Sequence, residues 1–256
     1  MFRRAIVRAP GPNFAEGLTT VNLGVPDTER ALAQHAAYCE ALERCGLALT
    51  RLPADVRHAD ATFVEDTAVL TPRGAILTRP GAASRAGEVE AIRGPLAAFY
   101  RGFRTIEAPG TLDGGDVCEA EGLMLIGISA RTNEAGAGQL AALMEEEGIR
   151  CALVDIREVP GILHLKSGVA YLGDGRFVAI DALVRHPALR GCDVVPVDPS
   201  EAYASNCVRV NSRLLFAAGY PRLETALRRL GYDLLRLEMS EFQKMDGGLS
   251  CLSLRF

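Results

Sequence analysis

The sequence predicts an α/β fold in which five pseudo-repeated strand-strand-helix-strand units close into a ring, a five-bladed α/β propeller. Three observations carry this. One grammar of strand, tight turn, strand, helix and further short strand recurs at intervals of roughly fifty residues. The fifth copy is complete only if the two ends of the chain come together. An apolar fraction of 48% over 256 residues is ample for a large core. Stacked units that cover one another's apolar faces form one body, so residues 1–256 are expected to make a single domain with a site at its centre.

The elements follow in order. RRAIVR begins the split unit, and a helix from Thr28 to Cys45 follows, N-capped near Asp27 and closed by Gly46. Its expected apolar stripe is Leu32, Ala36, Cys39 and Leu42. The short run LALTRLP comes next. Phe63-Val-Glu-Asp then leads into TAVLTP, a turn at Arg73-Gly74, the strand AILTRP, a helical stretch from Gly87 to Tyr100 and the short run TIEAP. Asp113-Gly-Gly-Asp leads into VCEA, a turn at Glu121-Gly122, LMLIG, a helix from about Thr132 to Glu147 closed by Gly148, and CALVDI. LKSGVAYL, Gly-Asp-Gly, RFVAI, a short helix near Asp181 to Leu189 and DVVPVD make the third unit. NCVRV, Asn-Ser, RLLFAAG, the helix PRLETALRRLG and DLLRLEM make the fourth, with Pro221 at the helix start and Gly231 past its end. The chain ends on LSCLSLRF, which supplies the strand that the first unit lacks.

A doubly wound sheet also alternates strands and helices. Its phosphate-binding signatures are absent: no G-x-G-x-x-G follows the first strand, there is no G-x-x-x-x-G-K-[ST], and Gly114-Gly115 is too short to replace either.

Lys and Arg total 28 against 32 Asp and Glu, a net charge of -4, with no run of basic residues. That argues against nucleic acid and anionic membrane surfaces as partners. The segment MFRRAIVRAPGP is too poor in apolar residues for a signal peptide, and a cytoplasmic location is expected. Seven cysteines, at 39, 45, 118, 151, 192, 207 and 251, include no C-x-x-C pair. Neither a disulfide framework nor a zinc ribbon fits, and six of the seven are expected to be small core residues.

The openings of the units carry the ionisable groups. Asp60, Glu65 and Asp66 stand at the first, Asp113 and Asp116 at the second, His164 and Lys166 at the third, Asn206 at the fourth, and Asp246 with Cys251 at the last. Each alone has an ordinary structural explanation, as a turn residue, a cap or a core residue. Together, in a ring, they converge on one axial pocket. A cysteine and a histidine oriented by a carboxylate make a nucleophile and a general acid/base. The surplus carboxylates point to a cationic electrophile, and a guanidinium fits, since carboxylates bind its planar fork and a thiolate can attack its central carbon. Such a cation would itself favour the thiolate, against the opposing effect of burial. The stretch Gly11 to Gly24, GPNFAEGLTTVNLG, has three glycines and no regular pattern, as a closing lid would.

FVED at 63 to 66, LDGGD at 112 to 116, SARTN at 129 to 133, LHLKSG at 163 to 168 and the terminal DGGLSCLSLRF resemble the dimethylarginine dimethylaminohydrolases of the bacterial type. TRPGAASRAGE at 78 to 88 and AGYPR at 218 to 222 extend the resemblance along the whole chain. It implies the five-bladed propeller of the guanidine-modifying enzymes, the pentein fold. It implies Cys251 as nucleophile, His164 as the acid that protonates the departing amine and then the base toward water, and Asp113 as the third catalytic residue. Asp66 resembles the principal guanidinium ligand. Asp60 and Glu65 resemble residues lining the same pocket, with Asp60 and the backbone of Leu18 near the α-amino group. Arg85 and Arg131 resemble clamps on the α-carboxylate, and Met245 falls where a backbone group meets substrate. Asp113 departs from the bacterial pattern, which has Glu at this place, and the shorter arm puts rate and pH optimum in question. An amino-acid substrate with a cationic end and a zwitterionic end calls for carboxylates deep in the pocket and arginines at its mouth.

The reaction so implied is hydrolysis of Nω-methylated or dimethylated L-arginine to L-citrulline and methylamine or dimethylamine through a thiouronium intermediate, with no cofactor and no metal in a catalytic role. An arginine deiminase and a non-catalytic arginine-binding protein are the alternatives. The first is disfavoured by the short chain and by LHLKSG around the histidine, the second by the joint presence of Cys251, His164 and Asp113. Adventitious zinc on Cys251 and His164, the oligomeric state and any homo-oligomer are left open.

Overall fold

In a computed structural model describing Met1 through Phe256, the strands fall into five three-stranded sheets arranged as the blades of a ring. The first sheet is begun by β1 (Arg4–Arg8), followed by α1 (Thr28–Arg44) and β2 (Ala48–Leu52). The second is β3 (Ala68–Thr71), β4 (Gly74–Leu77), α2 (Ala86–Ala97) and β5 (Phe103–Thr105); the third is β6 (Val117–Ala120), β7 (Leu123–Ile128), α3 (Glu134–Glu146) and β8 (Arg150–Asp155). Next come β9 (Val169–Gly173), β10 (Arg176–Ile180), α4 (Asp181–Val184) and β11 (Asp193–Val197), then β12 (Val208–Val210), β13 (Arg213–Ala217), α5 (Pro221–Arg229) and β14 (Asp233–Leu237). After the short α6 (Ser240–Gln243), β15 (Leu254–Arg255) returns to β1.

Every blade has one wiring. The middle strand pairs antiparallel with the strand nearest the ring axis and parallel with the outer strand. A tight hairpin suffices for the first pairing, whereas the second requires a crossover, which the helix provides. In the split blade β1 is the middle strand, and Ile6 faces Leu254 across the antiparallel pair, so the two ends of the chain close the ring.

The middle strands are apolar along their central residues, with arginines only at strand ends, because both faces are buried. Along β7, Leu123 and Leu125 enter one core cluster while Met124, Ile126 and Ile128 enter the next. Along β13, Leu214 and Phe216 alternate in the same way with Leu215 and Ala217. Successive side chains point to opposite faces of a strand, so each sheet supplies half of two cores. Five clusters result, one between each pair of neighbouring blades, and the ring is held by these contacts.

Three expectations need correction. In α1 the buried positions are Ala31, Gln34, His35, Tyr38, Cys39, Ala41 and Leu42, whereas Leu32 is 43% exposed and Ala36 is exposed too. Polar Gln34 sits on the buried stripe because its side chain bonds Ser240 Oγ and the Glu241 N–H, which an apolar pattern cannot register. The outer strand of the second sheet is Phe103–Thr105, which overlaps TIEAP only at Thr105, because Ala108 and Pro109 form a turn and Pro109 has no N–H to donate. Of the six cysteines other than Cys251, only Cys39, Cys118 and Cys207 are buried; Cys45, Cys151 and Cys192 are half-buried near the ring's outside.

Candidate active site

The groups noted at the unit openings are not on strands. Each blade has a turn of 3-10 helix just before its axial strand: Val64–Thr67, Gly114–Asp116, Leu165–Ser167, Pro199–Ser205 and Ser250–Leu252. Glu65, Asp66 and Cys251 lie within these turns, Asp113 and His164 immediately precede theirs, and Asn206 follows its own. The tight turn aims side chains along the ring axis, which an extended strand would direct into the interblade cores. Leu18, Asp60, Asp66, Arg85, Arg131, His164, Met245 and Cys251 thereby line one cleft, with Phe63, Leu163, Asp246 and Gly247 completing it.

His164 Nε2 lies 3.0 Å from Asp113 Oδ2, and both side chains are buried. Burial opposes the imidazolium, but the charge of Asp66, the bond to Asp113 and the charge of Asp116 overcome it and raise the His164 pKa to about 9. Asp113 is fixed in turn: its Oδ1 accepts the Gly81 N–H at 2.9 Å, and its own N–H donates to Thr132 Oγ1 at 3.1 Å. Asp116 holds the histidine turn by accepting the Leu165 N–H at 2.8 Å and the Ser129 hydroxyl at 2.7 Å. LDGGD, SARTN and LHLKSG are therefore one hydrogen-bonded assembly. Its glycines are required by contact: a Cβ on Gly114 would lie 2.0 Å from the Glu65 carbonyl, and one on Gly115 would lie 2.7 Å from His164 Nδ1.

Cys251 is buried beside this assembly, and its Sγ accepts the Gly248 N–H at 3.4 Å. Burial first, then the charges of Glu65 and Asp66, push the thiol up to about 12. The turn is pinned by Asn206, whose Oδ1 accepts the Ser250 N–H at 2.9 Å and whose amide donates to Ser250 Oγ at 3.1 Å.

Asp66 is held well below the usual carboxylate range, because His164, Arg85 and the Gly115 N–H outweigh its burial. Its Oδ2 meets Arg85 Nη1 at 2.5 Å. Arg85 does not stand at a mouth: it is only 4% exposed and also binds Glu88 at 2.8 Å and the Phe63 carbonyl at 3.1 Å. Two carboxylates draw it into the floor. Glu88 was not singled out in the sequence, although its i,i+3 spacing from Arg85 at a helix start is the signal that could have found it. Arg131 has its nearest acidic partner, Asp113, at 3.8 Å and remains partly exposed. Glu65 also departs from expectation. Its carboxylate turns to the opposite end of the axis, where Lys166 at 2.7 Å and Arg255 at 3.1 Å hold Oε1 beside a cavity of about 590 Å³.

The segment from Gly11 to Gly24 covers the cleft. Phe14 is buried against Phe63 and Phe242 at ring separations of 6.1 and 5.4 Å, anchoring the base. Beyond it the Leu18 N–H donates to the Asp60 carboxylate at 3.1 Å, Thr19 Oγ1 to the Lys244 carbonyl at 3.0 Å, and Thr20 Oγ1 to Asp246 Oδ2 at 3.0 Å. Burial raises the pKa of Asp60, against the pull of Arg85 and the Leu18 N–H. With this cover in place the cleft retains only about 20 Å³, room for about one water molecule.

Oxygen and nitrogen atoms of Asp66, Asp113 and His164 lie within 4.8 Å of one another, near enough to share a cation. Each already has a protein partner: Asp66 has Arg85 and the Gly115 N–H, and Asp113 has His164 and the Gly81 N–H. The arrangement suits a proton-transfer pair beside a thiol, facing a carboxylate able to receive positive charge.

No family model matches the sequence. The chain is 44% identical to the N(G),N(G)-dimethylarginine dimethylaminohydrolase of Pseudomonas aeruginosa, with 100% of both chains covered. It is 38% identical to the protein of that name from Streptomyces coelicolor, over 99% of this chain and 96% of the other. A solved structure of the Pseudomonas aeruginosa protein, a cysteine-to-serine mutant complexed with citrulline, matches with a TM-score of 0.96 at 42% identity, covering 100% of both chains.

Proposed function

Since this chain belongs to the dimethylarginine dimethylaminohydrolase family, with its five-bladed pentein fold, we propose how its own residues divide that family's reaction. The enzyme hydrolyses Nω-methylated and Nω,Nω-dimethylated L-arginine to L-citrulline and methylamine or dimethylamine. Residues 1–256 act as one catalytic domain.

Asp66 receives the guanidinium, and the arriving cation offsets the negative charge that disfavours a thiolate at Cys251. Cys251 gives up its proton to solvent as the cation binds, and the thiolate attacks the guanidinium carbon to give a tetrahedral adduct. His164, protonated at neutral pH with a pKa of about 9, gives a proton to the methylated nitrogen, and the amine departs to leave a thiouronium on Cys251. The imidazole, now neutral, takes a proton from water as that water adds, and collapse of the second adduct expels Cys251 and frees citrulline. Asp113 orients the ring through Nε2 and stabilises its charge, which leaves Nδ1 to exchange protons. Asp60 and the backbone of Leu18 receive the α-amino group, Arg131 the α-carboxylate, and the backbone at Met245 completes the wall, while Arg85 holds the Asp66 carboxylate from the floor in place of the mouth position first expected for it. Glu65 contributes from beneath as a charge near the sulfur. No step calls on a metal or an organic cofactor.

The observation that carries this reading is the convergence of Cys251, His164 and Asp66 on a single covered cleft, with the buried Asp113 bonded to His164 behind it. No helix is long and apolar enough to cross a membrane, and all seven cysteines are unpaired, which supports work in the reducing cytoplasm.

The test is to incubate the protein with asymmetric dimethylarginine, monomethylarginine and arginine in parallel, measuring citrulline and each amine. Citrulline with dimethylamine or methylamine, abolished in Cys251→Ser, is the expected outcome. Citrulline chiefly from arginine would identify a deiminase, and no product from any of the three a binding protein.

A further inference from the structure

The ring is approached from both ends, and the end opposite the cleft holds a charged cluster directly beneath the nucleophile's turn. Arg255, on the last strand, is its centre. Nη1 donates to the Ser250 carbonyl at 3.2 Å, to the Ser253 carbonyl at 3.1 Å and to Ser253 Oγ at 2.8 Å, while Nη2 reaches Glu65 Oε1 at 3.1 Å. We propose that Arg255 is a positioning residue for Cys251, clamping the nucleophile's turn from the rear and neutralising the carboxylate beneath it. The inference rests on the reading of Cys251 as the nucleophile.

Two independent features support it. The first is mechanical. Ser250 precedes Cys251 and is held on one side by Asn206, which accepts its N–H and donates to its hydroxyl; Arg255 donates to its carbonyl on the other. The same guanidinium fixes Ser253, whose hydroxyl also meets the fully buried Tyr38 hydroxyl at 2.6 Å. One nitrogen of the fork thereby binds the first residue of the turn and the residue that follows it, while the other holds Glu65, a pair of tasks that the single nitrogen of a lysine cannot share.

The second feature is electrostatic. Glu65 is 4% exposed, and its Oε2 has no hydrogen-bond partner, so its charge is balanced through Oε1 alone, by Lys166 and Arg255. Its negative charge disfavours the thiolate of Cys251. Without Arg255, half of that balance is gone and the thiol becomes harder to ionise.

The experiment compares wild type, Arg255→Gln and Arg255→Lys by kcat and KM on asymmetric dimethylarginine and by the pH dependence of Cys251 inactivation with a neutral haloacetamide. In Arg255→Gln, kcat should fall about 10- to 100-fold, the range that a small misplacement of a reacting group produces, with KM within about 2-fold. Its inactivation profile should move to higher pH. Arg255→Lys restores the charge and so the profile, but not the fork, and kcat stays below wild type. If Arg255→Gln does not fold, Arg255→Lys decides alone: reduced kcat with a wild-type profile supports the proposal, and wild-type kcat overturns it. A lower Tm with kcat and profile unchanged in both variants would make Arg255 merely structural and overturn it. If wild-type Cys251 is not protected by substrate, or Cys251→Ser keeps its turnover, the nucleophile reading itself has failed and the proposal falls with it.

Discussion

His164 Nε2 and Asp113 Oδ2 are 3.0 Å apart, inside an assembly that leaves Asp113 with no exposed surface. The carboxylate is bound to the imidazole through Oδ2 and to the Gly81 N–H through Oδ1, and the residue's own N–H is tied to Thr132, so it cannot turn away when the ring changes charge. In Asp113→Asn the geometry can persist while the charge is lost. We expect kcat to fall by about 100-fold or more. The alkaline limb of the kcat profile, which should lie near pH 9, where His164 loses its proton, should move down toward the ordinary histidine value of about 6.5. Asp113→Glu should keep the limb high, and its kcat relative to wild type measures what the shorter arm changes.

The same pair links stability to pH. A histidine whose pKa is raised by folding contributes stability that is full below about pH 6.5 and is lost as pH rises through about 9. Thermal melts between these limits should show Tm falling with pH, and the slope should flatten in Asp113→Asn.

Cys251 should discriminate between alkylating agents by charge. Burial and the charges of Glu65 and Asp66 hold its proton, and a cationic reagent relieves the carboxylate part of that effect where a neutral one does not. At neutral pH a haloacetamidine should inactivate the enzyme faster than the haloacetamide of the same size, with Cys251 as the modified residue by mass spectrometry. Equal rates would count against Asp66 as a receptor for positive charge.

Gly115 should not tolerate a methyl group. A Cβ there would sit 2.7 Å from His164 Nδ1 and 2.9 Å from Asp66 Oδ1, so Gly115→Ala must displace the acid, the guanidinium ligand or both. A loss in kcat of about 100-fold, with far-UV circular dichroism unchanged, is expected.

The cover over the cleft is latched at three places, by Asp60 on one side and by the Lys244 carbonyl and Asp246 on the other. Thr20→Val removes one hydroxyl bond to Asp246 and leaves the Leu18 contact in place. A bond of this kind contributes about 0.5–1.5 kcal/mol, so KM should rise by about 2- to 12-fold with kcat little changed. A KM equal to wild type would mean that Thr20 has no part in holding the cover.

Much of this protein is settled by local pattern. The doubled faces of the middle strands, the crossover helices and the pairing of LSCLSLRF with RRAIVR follow from periodicity and turn residues, which act over a few neighbours. Cys251, His164, Asp66 and Asp113 could be picked out because their residue types together describe one reaction. What the tertiary structure alone decided is direction. It turned the Glu65 carboxylate away from its neighbour Asp66 to the other end of the axis, drew Arg85 into the floor between Asp66 and Glu88, and buried Gln34 in place of Leu32. Each depends on a charge or hydrogen-bond partner distant in sequence, such as Lys166, Arg255 or Ser240, and no local period records where such a partner will be. The residues that can do the chemistry are therefore legible in the chain, while the partners that set their charge and aim exist only once the ring has closed.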